Sequence, residues 1–217
     1  MGHRGWLGIN RHVICGTAVA VIAIMGSFPA HAQDYGNRDG VTILQDFAQC
    51  AVHGDRDSAS ALLASMPGSP TERMIEKRIR KRFDLCLILP DSVKFTGMVL
   101  RGAVAAVLYQ QAHGSRPLSI TPQGYRAAWL TGEAASAPAI AAPYAFAACV
   151  ASADPVVAHA LALSTSRSAD EMAALKRLST QYSACYPRGG TLRLTRITVR
   201  ALVAEALYHL SPYEVVR

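Results

Sequence analysis

The chain reads FAQCAV at residues 47–52 and FAACVA at residues 146–151, ninety-nine positions later. Laid over itself at that offset without gaps, Phe47–Tyr109 matches Phe146–Tyr208 at 19 of 63 positions. Each half carries a cysteine and a second one thirty-six residues on: Cys50 and Cys86, Cys149 and Cys185. Asp55 answers Asp154, Glu72 answers Glu171, Lys77-Arg78 answers Lys176-Arg177, and Arg101 answers Arg200. Many mismatches are apolar exchanges, among them Phe83/Tyr182, Val93/Leu192, Phe95/Leu194 and Met98/Ile197. Self-similarity at one fixed period reads as an internal tandem repeat.

Each half is expected to be helical. SPTE (Ser69–Glu72) and SADE (Ser168–Glu171) have the spacing of capping boxes, in which the serine and the glutamate satisfy each other's free backbone donors. Pro70 fits the first helical position. Ala/Leu-rich runs precede both boxes, Asp57–Ser65 and Asp154–Ser164, the second opened by Asp154 as N-cap and Pro155. After each second cysteine, Val104, Ala105 and Leu108, and again Val203, Ala204 and Leu207, recur at helical spacing. Helix and strand signals compete over TLRLTRITV (Thr191–Val199), and helix is favoured because its counterpart feeds directly into a helical pattern. The fold expected is all-α: a tandem duplication of a three-to-four-helix unit. The halves span residues 33–113 and 145–217. A connector (114–144) lies between them, with a short helix over Thr121–Leu130, Trp129 packed on the core, and a loop at Ser136–Pro143.

Residues 1–32 read as an address. Arg4 and Arg11 give a positive start, Val13–Phe28 is a short apolar run, and AHA (Ala30–Ala32) has the small-x-small pattern of a signal-peptidase site. Cleavage there makes Gln33 the new terminus. It lowers the formal net charge from +7 to +5, since two arginines and no acid are lost. Cys15 sits at the start of the apolar run, the wrong place for a lipid anchor, and no second apolar run of membrane length follows. The expected location is periplasmic or secreted. Four cysteines in an exported chain imply disulfides. Their recurrence in register predicts pairing within each half, Cys50 with Cys86 and Cys149 with Cys185. The cysteines and histidines lack C-x-x-C or H-x-x-H spacing, so neither metal nor cofactor is expected.

Arg101 and Arg200 each share the apolar face of their helix, and a buried arginine requires a partner. Asp55, Asp154, Glu72, Glu171 and helix C-terminal carbonyls are the internal candidates; a ligand carboxylate or phosphate is the functional alternative. RMIEKRIRKRF (Arg73–Phe83) is the densest basic segment. On a helix Arg73, Lys77, Arg80 and Lys81 share a broad face, and with Arg82 they form a candidate surface for an anionic envelope component or an acidic protein. The second half has Ser179–Gln181 in place of Arg80–Arg82. Nucleic acid is not expected for an exported chain. His53, His113, His159 and His209 each align with a different residue type in the other half, and no nucleophile, P-loop or paired-carboxylate signature is present.

The unit FxxC, capping box, C, RGxxAxxLY is similar to that of small, Ala-rich exported proteins of unknown function from Gram-negative bacteria. The resemblance covers both halves and neither leader nor connector; it implies a periplasmic setting and carries no activity. LRGAVAAVLY (100–109) keeps its Arg-Gly, whereas VRALVAEALY (199–208) has alanine for the glycine, read as a conservative change on a helix. The favoured function is binding, not catalysis. Its competitor is a hydrolase-like envelope enzyme with a site between the halves, recognisable by polar groups converging from both into a pocket.

Overall fold

Two interior helices organise the molecule, and the sequence makes them apolar on nearly every side. In the computed structural model, which describes residues 40–86, 96–114, 138–186 and 192–211, they are α4 (Gly97–His113) and α9 (Arg196–Leu210). Leu100–Tyr109 on α4 and Val199–Leu207 on α9 are buried without interruption. A helix apolar all round must be covered all round. The two pack on each other, and each is wrapped by the helices of its own half.

The first half runs α1 (Gly40–Gly54), α2 (Arg56–Ala64), α3 (Pro70–Arg82), a 3-10 turn at Asp84–Cys86, and α4. The second runs α5 (Pro138–Ala153), α6 (Pro155–Leu163), α7 (Ala169–Leu178), a 3-10 turn at Ser179–Gln181, α8 (Tyr182–Cys185) and α9. The described residues contain helices and no strand, the all-α class expected. One core gathers Phe47, Leu62, Leu63, Ile79, Leu100 and Leu108; the other gathers Phe146, Leu161, Leu178, Leu202 and Leu207. Disulfides Cys50–Cys86 and Cys149–Cys185 staple each half as anticipated. Closing a loop of that length stabilises by about 4 kcal/mol on the chain-entropy estimate.

The caps recur at counterpart positions. Asp55 accepts from Ser58 N at 3.0 Å to start α2, and Asp154 accepts from Val157 N at 3.1 Å to start α6. Ser69 and Ser168 cap α3 and α7 through Glu72 N and Glu171 N. The reciprocal half of the expected capping boxes does not form as read. Glu72 and Glu171 reach one residue further back, to the N–H of Gly68 and of Arg167. Those two residues stand at φ +77° and +62°. Turning the chain through the left-handed region there aims the N–H at the carboxylate; glycine does so freely, arginine at a cost.

Three local readings need correction. Ser136–Pro143 was expected as loop, yet α5 starts at Pro138 and carries Pro143 inside it. A proline this close to the start removes a single backbone bond, and burial of Pro143 and Tyr144 secures the segment. α5 therefore begins within the stretch assigned to the connector. The helix expected over Thr191–Val199 starts only at Arg196: Thr195 caps it by exchanging side-chain and backbone bonds with Thr198. Finally, alanine for glycine at position 201 is not interchangeable, because a Cβ on Gly102 would lie 2.3 Å from Ala201 Cβ. Residues 1–32, Thr121–Leu130 and Trp129 lie outside the described residues. The described residues belong to one compact unit, Asn37–Arg217, so the two halves are joined through α4 and α9 and do not stand apart.

Candidate functional site

Gly102 and Ala201 are counterparts at the ninety-nine-residue offset, and they touch. Immediately before each of them in sequence lies a buried arginine, Arg101 at 0 % exposure and Arg200 at 6 %.

Both arginines close the end of a helix in their own half. Arg101 Nη1 donates to the carbonyls of Leu62 (2.6 Å) and Ser65 (3.1 Å), to Ser65 Oγ (3.3 Å) and to Glu72 Oε1 (3.4 Å). Its Nη2 reaches the Leu63 carbonyl at 3.1 Å. Arg200 donates to Ser164 Oγ (2.9 Å), the Ser164 carbonyl (2.5 Å) and Glu171 Oε1 (3.0 Å). Each guanidinium thus meets carbonyls at the C-terminal end of its half's second helix: those of Leu62, Leu63 and Ser65 at the end of α2, and that of Ser164 at the end of α6. It also meets the glutamate that braces the next helix start. Glu72 and Glu171 are brought to the arginines; Asp55 and Asp154 are not. Both aspartates are partly exposed N-caps, paired instead with Arg82 (2.5 Å) and Arg177 (3.2 Å).

Beyond this shared frame the clusters differ. Arg101 meets a second carboxylate, Glu205 of α9, which accepts from Nε at 2.9 Å and Nη2 at 2.5 Å with both side chains at 0 % exposure. The counterpart of Glu205 is Ala106. Glu171 conversely meets a second arginine, Arg196 at 3.2 Å, whose counterpart is Gly97. Around Arg101 one arginine meets two glutamates, one from each half; around Glu171 one glutamate meets two arginines of its own half. Burial presses the Arg101 pKa down, but Glu205 and Glu72 more than offset it, leaving it above the ordinary arginine value. For Arg200 burial prevails over Glu171, Arg196 adds repulsion, and the pKa falls below the ordinary value. Burial likewise raises the carboxyl pKa of Glu72 against the pull of Gly68 N and Arg101.

Sequence reading missed Glu205, Arg196, Ser65 and Ser164. The signal for Glu205 was available: it is an acid inside VRALVAEALY, a helix with no other polar position than Arg200 and Tyr208. An unpaired acid in such a run demands a cation from elsewhere.

A separate polar contact joins the halves where Tyr109 Oη lies 2.7 Å from His159 Nδ1. Burial pushes the Tyr109 hydroxyl up to about 12, so it stays protonated. Burial, then the neighbouring His113, lowers His159. A tyrosine held protonated beside a neutral histidine makes a structural bridge, not an activated nucleophile. Because the His159 pKa is lower folded than unfolded, its contribution to stability is present above about pH 6.5 and is lost as pH falls through the folded value. Thermal midpoints are expected to fall between pH 7.5 and 5. His159→Asn, which keeps an acceptor without a titrating ring, is expected to flatten that slope; an unchanged slope would remove His159 from the account.

On α3 the basic residues divide. Arg73 donates to the Gly68 carbonyl, Arg80 pairs with Glu76 at 2.6 Å, and Arg82 turns away to Asp55. Arg73, Glu76, Lys77, Arg80 and Lys81 line a shallow open depression, which Arg82 does not join. Among the described residues no group of three or more potential ligands could hold a metal ion, and no single helix is long and apolar enough to cross a membrane. Comparison of the chain with models of known protein families, with curated proteins and with solved structures finds no match.

Proposed function

We propose that the protein is a non-enzymatic binding module of the bacterial cell envelope, exported through residues 1–32, that engages a phosphate-bearing anionic surface with the exposed face of α3. The observation that carries this reading is the asymmetry between two otherwise corresponding helices. α3 holds six cations against two acids, whereas α7 holds two against two. Lys77, Arg78 and Lys81 are exposed, and the depression between Arg73, Lys77 and Lys81 is open to a headgroup. The capped, disulfide-stapled scaffold common to both halves supports an origin by tandem duplication, after which the basic face became the specialised feature. The disulfides suit an oxidising compartment, and the likeness to Ala-rich exported proteins agrees with it.

Converting Arg80, Lys81 and Arg82 to the second half's Ser, Thr and Gln tests the proposal. The pairs broken, Arg80–Glu76 and Arg82–Asp55, are solvent-accessible and worth under about 1 kcal/mol each, so the thermal midpoint should move by only a few degrees. Co-sedimentation with vesicles of anionic phospholipid is expected to fall at least tenfold relative to the parent. Parental binding should itself weaken as salt shortens the Debye length below about 10 Å. Equal binding by the triple variant at low salt would reduce the basic run to a solvated face.

A further inference from the structure

We propose that the first half docks on a lipid bilayer carrying anionic headgroups by inserting Met74 and Leu85, the apolar ends of a row whose middle is Arg78 and Lys81. The inference rests on the anionic-surface reading of α3 and names what that surface is.

The helix itself sets the row. Ile75 and Ile79 of α3 are buried, and Cys86, in the turn that follows, packs against the same core. Met74, Arg78 and Leu85 each immediately precede one of these three residues. One step back turns the chain by about 100° in an α-helix and about 120° in a 3-10 turn, so all three side chains stand to the same side of the core-facing residues. Lys81, three residues after Arg78, joins them. Met74 is 55 % exposed and Leu85 90 %, and Arg78 and Lys81 are exposed between them.

Leu85 is presented by a pinned turn. Cys86 is tied to Cys50, the Cys86 N–H donates to the Phe83 carbonyl at 3.0 Å, and the Leu85 N–H donates to Asp84 Oδ1 at 2.8 Å. A leucine held almost wholly in water on such a turn gains free energy from any apolar phase it can enter.

The second half shows that folding does not call for this row. Its counterparts are Ala173 for Met74, Arg177 for Arg78, Thr180 for Lys81 and Ala184 for Leu85. Both large apolar side chains and one cation are lost together, while the serine cap, the disulfide and the buried arginine are kept.

A bilayer answers the whole row. Met74 and Leu85 are eleven residues apart, about 16 Å at about 1.5 Å per residue, so inserting both lays α3 along the surface. The long stems of Arg78 and Lys81 then let their charged ends reach the headgroup phosphates while the apolar tips go deeper. The acids of the segment do not oppose this: Glu76 is engaged by Arg80 at 2.6 Å, and Asp84 turns to the Leu85 N–H. An acidic protein surface would answer the cations and leave both apolar ends in water.

The experiment is vesicle partitioning at pH 7 with the oxidised chain from Gln33 onward. That chain retains the compact unit Asn37–Arg217 and lacks the apolar run of residues 13–28, which would itself enter lipid. Vesicles of phosphatidylglycerol mixed with phosphatidylcholine should hold the parent, and vesicles of phosphatidylcholine alone should not. Met74→Ser/Leu85→Ser should lower the partition coefficient about tenfold or more and leave the thermal midpoint unchanged, since both side chains are exposed. At about 1 M salt, where the Debye length is about 3 Å, the parent should keep a measurable bound fraction and the double variant none. Leu85→Trp should preserve binding, with emission shifted to the blue on anionic vesicles beyond any change from Trp129 in the parent. Equal partitioning of the parent and the double serine variant, or a Leu85→Trp emission that does not move, would overturn insertion and leave the electrostatic reading of α3 standing. A parent chain that ignores anionic vesicles even at low salt would overturn both.

Discussion

Replacing Arg101 by methionine is expected to cost about 3–5 kcal/mol, the range for breaking a buried ion pair by removing one partner. The side chain is fully buried and answers two glutamates and three carbonyls at once. Methionine fills the volume but removes the cation that Glu72 and Glu205 share, leaving only the His209 imidazole, 3.8 Å from Glu205. The double variant Arg101→Met/Glu205→Leu should recover much of the loss, because replacing a buried pair by apolar residues is often neutral. The pH dependence provides a second signature. Buried carboxyls without Arg101 have folded pKa values raised above their unfolded ones. The stability they contribute is therefore present at low pH and lost as pH rises through the folded values. Urea unfolding of Arg101→Met should thus show greater stability at pH 5 than at pH 7, opposite to the slope His159 gives the parent. A cost below about 1 kcal/mol, or a slope like the parent's, would mean that the cluster is not held by this arginine.

What the sequence revealed about this cluster, and what it did not, follows from the range of the interactions. Arg101 and Arg200 could be assigned to a buried face because helical periodicity is local. Glu72 and Glu171 could be nominated as partners because they recur at the same offset as the arginines. The serine caps, the aspartate caps and the cysteine pairs were legible for the same reason: each is a local motif present twice. Asp55 and Asp154 recur equally faithfully, yet they cap helices at the surface. Recurrence marks a residue as structurally required without saying where it points.

Glu205 and Arg196 were missed on the opposite ground. Each occurs in one half only, so searching for what repeats conceals them. Glu205 acts 104 residues from Arg101 in sequence and reaches it only because α4 crosses α9. Pro138 and Pro143 misled because proline and small residues signal a loop locally, whereas packing of Tyr144 and Phe146 holds α5 in place. The features that distinguish the halves are the basic face of α3, the Glu205–Arg101 pair and the Arg196–Glu171 pair. All are departures from the shared pattern, which is where specialisation can arise once a scaffold is stable in both halves.

The glycine at the crossing of α4 and α9 leads to the second large effect. By intrinsic propensity Gly102→Ala should stabilise an α-helix by up to about 1 kcal/mol. The neighbourhood decides otherwise. The added Cβ would stand 2.3 Å from Ala201 Cβ and 2.4 Å from both its Cα and its carbonyl oxygen. Two of those three atoms are backbone, so no rotamer change relieves the overlap and the helices must separate. Overpacking of this kind costs about 1–3 kcal/mol, and separation would also stretch the 2.5 Å bond from Arg101 to Glu205 that spans the same interface. The net loss should lie at the upper end of that range despite the propensity gain. Ala201→Gly alone should cost no more than about 1 kcal/mol, since it removes one methyl and adds backbone freedom. The informative variant is the exchange Gly102→Ala/Ala201→Gly, which moves the single methyl across the crossing. Because the two positions are counterparts, the exchange should be clearly more stable than Gly102→Ala by itself, a non-additivity that urea unfolding of the four proteins measures directly. If Gly102→Ala unfolds at the parent's urea midpoint, α4 and α9 do not approach as closely as the structure places them.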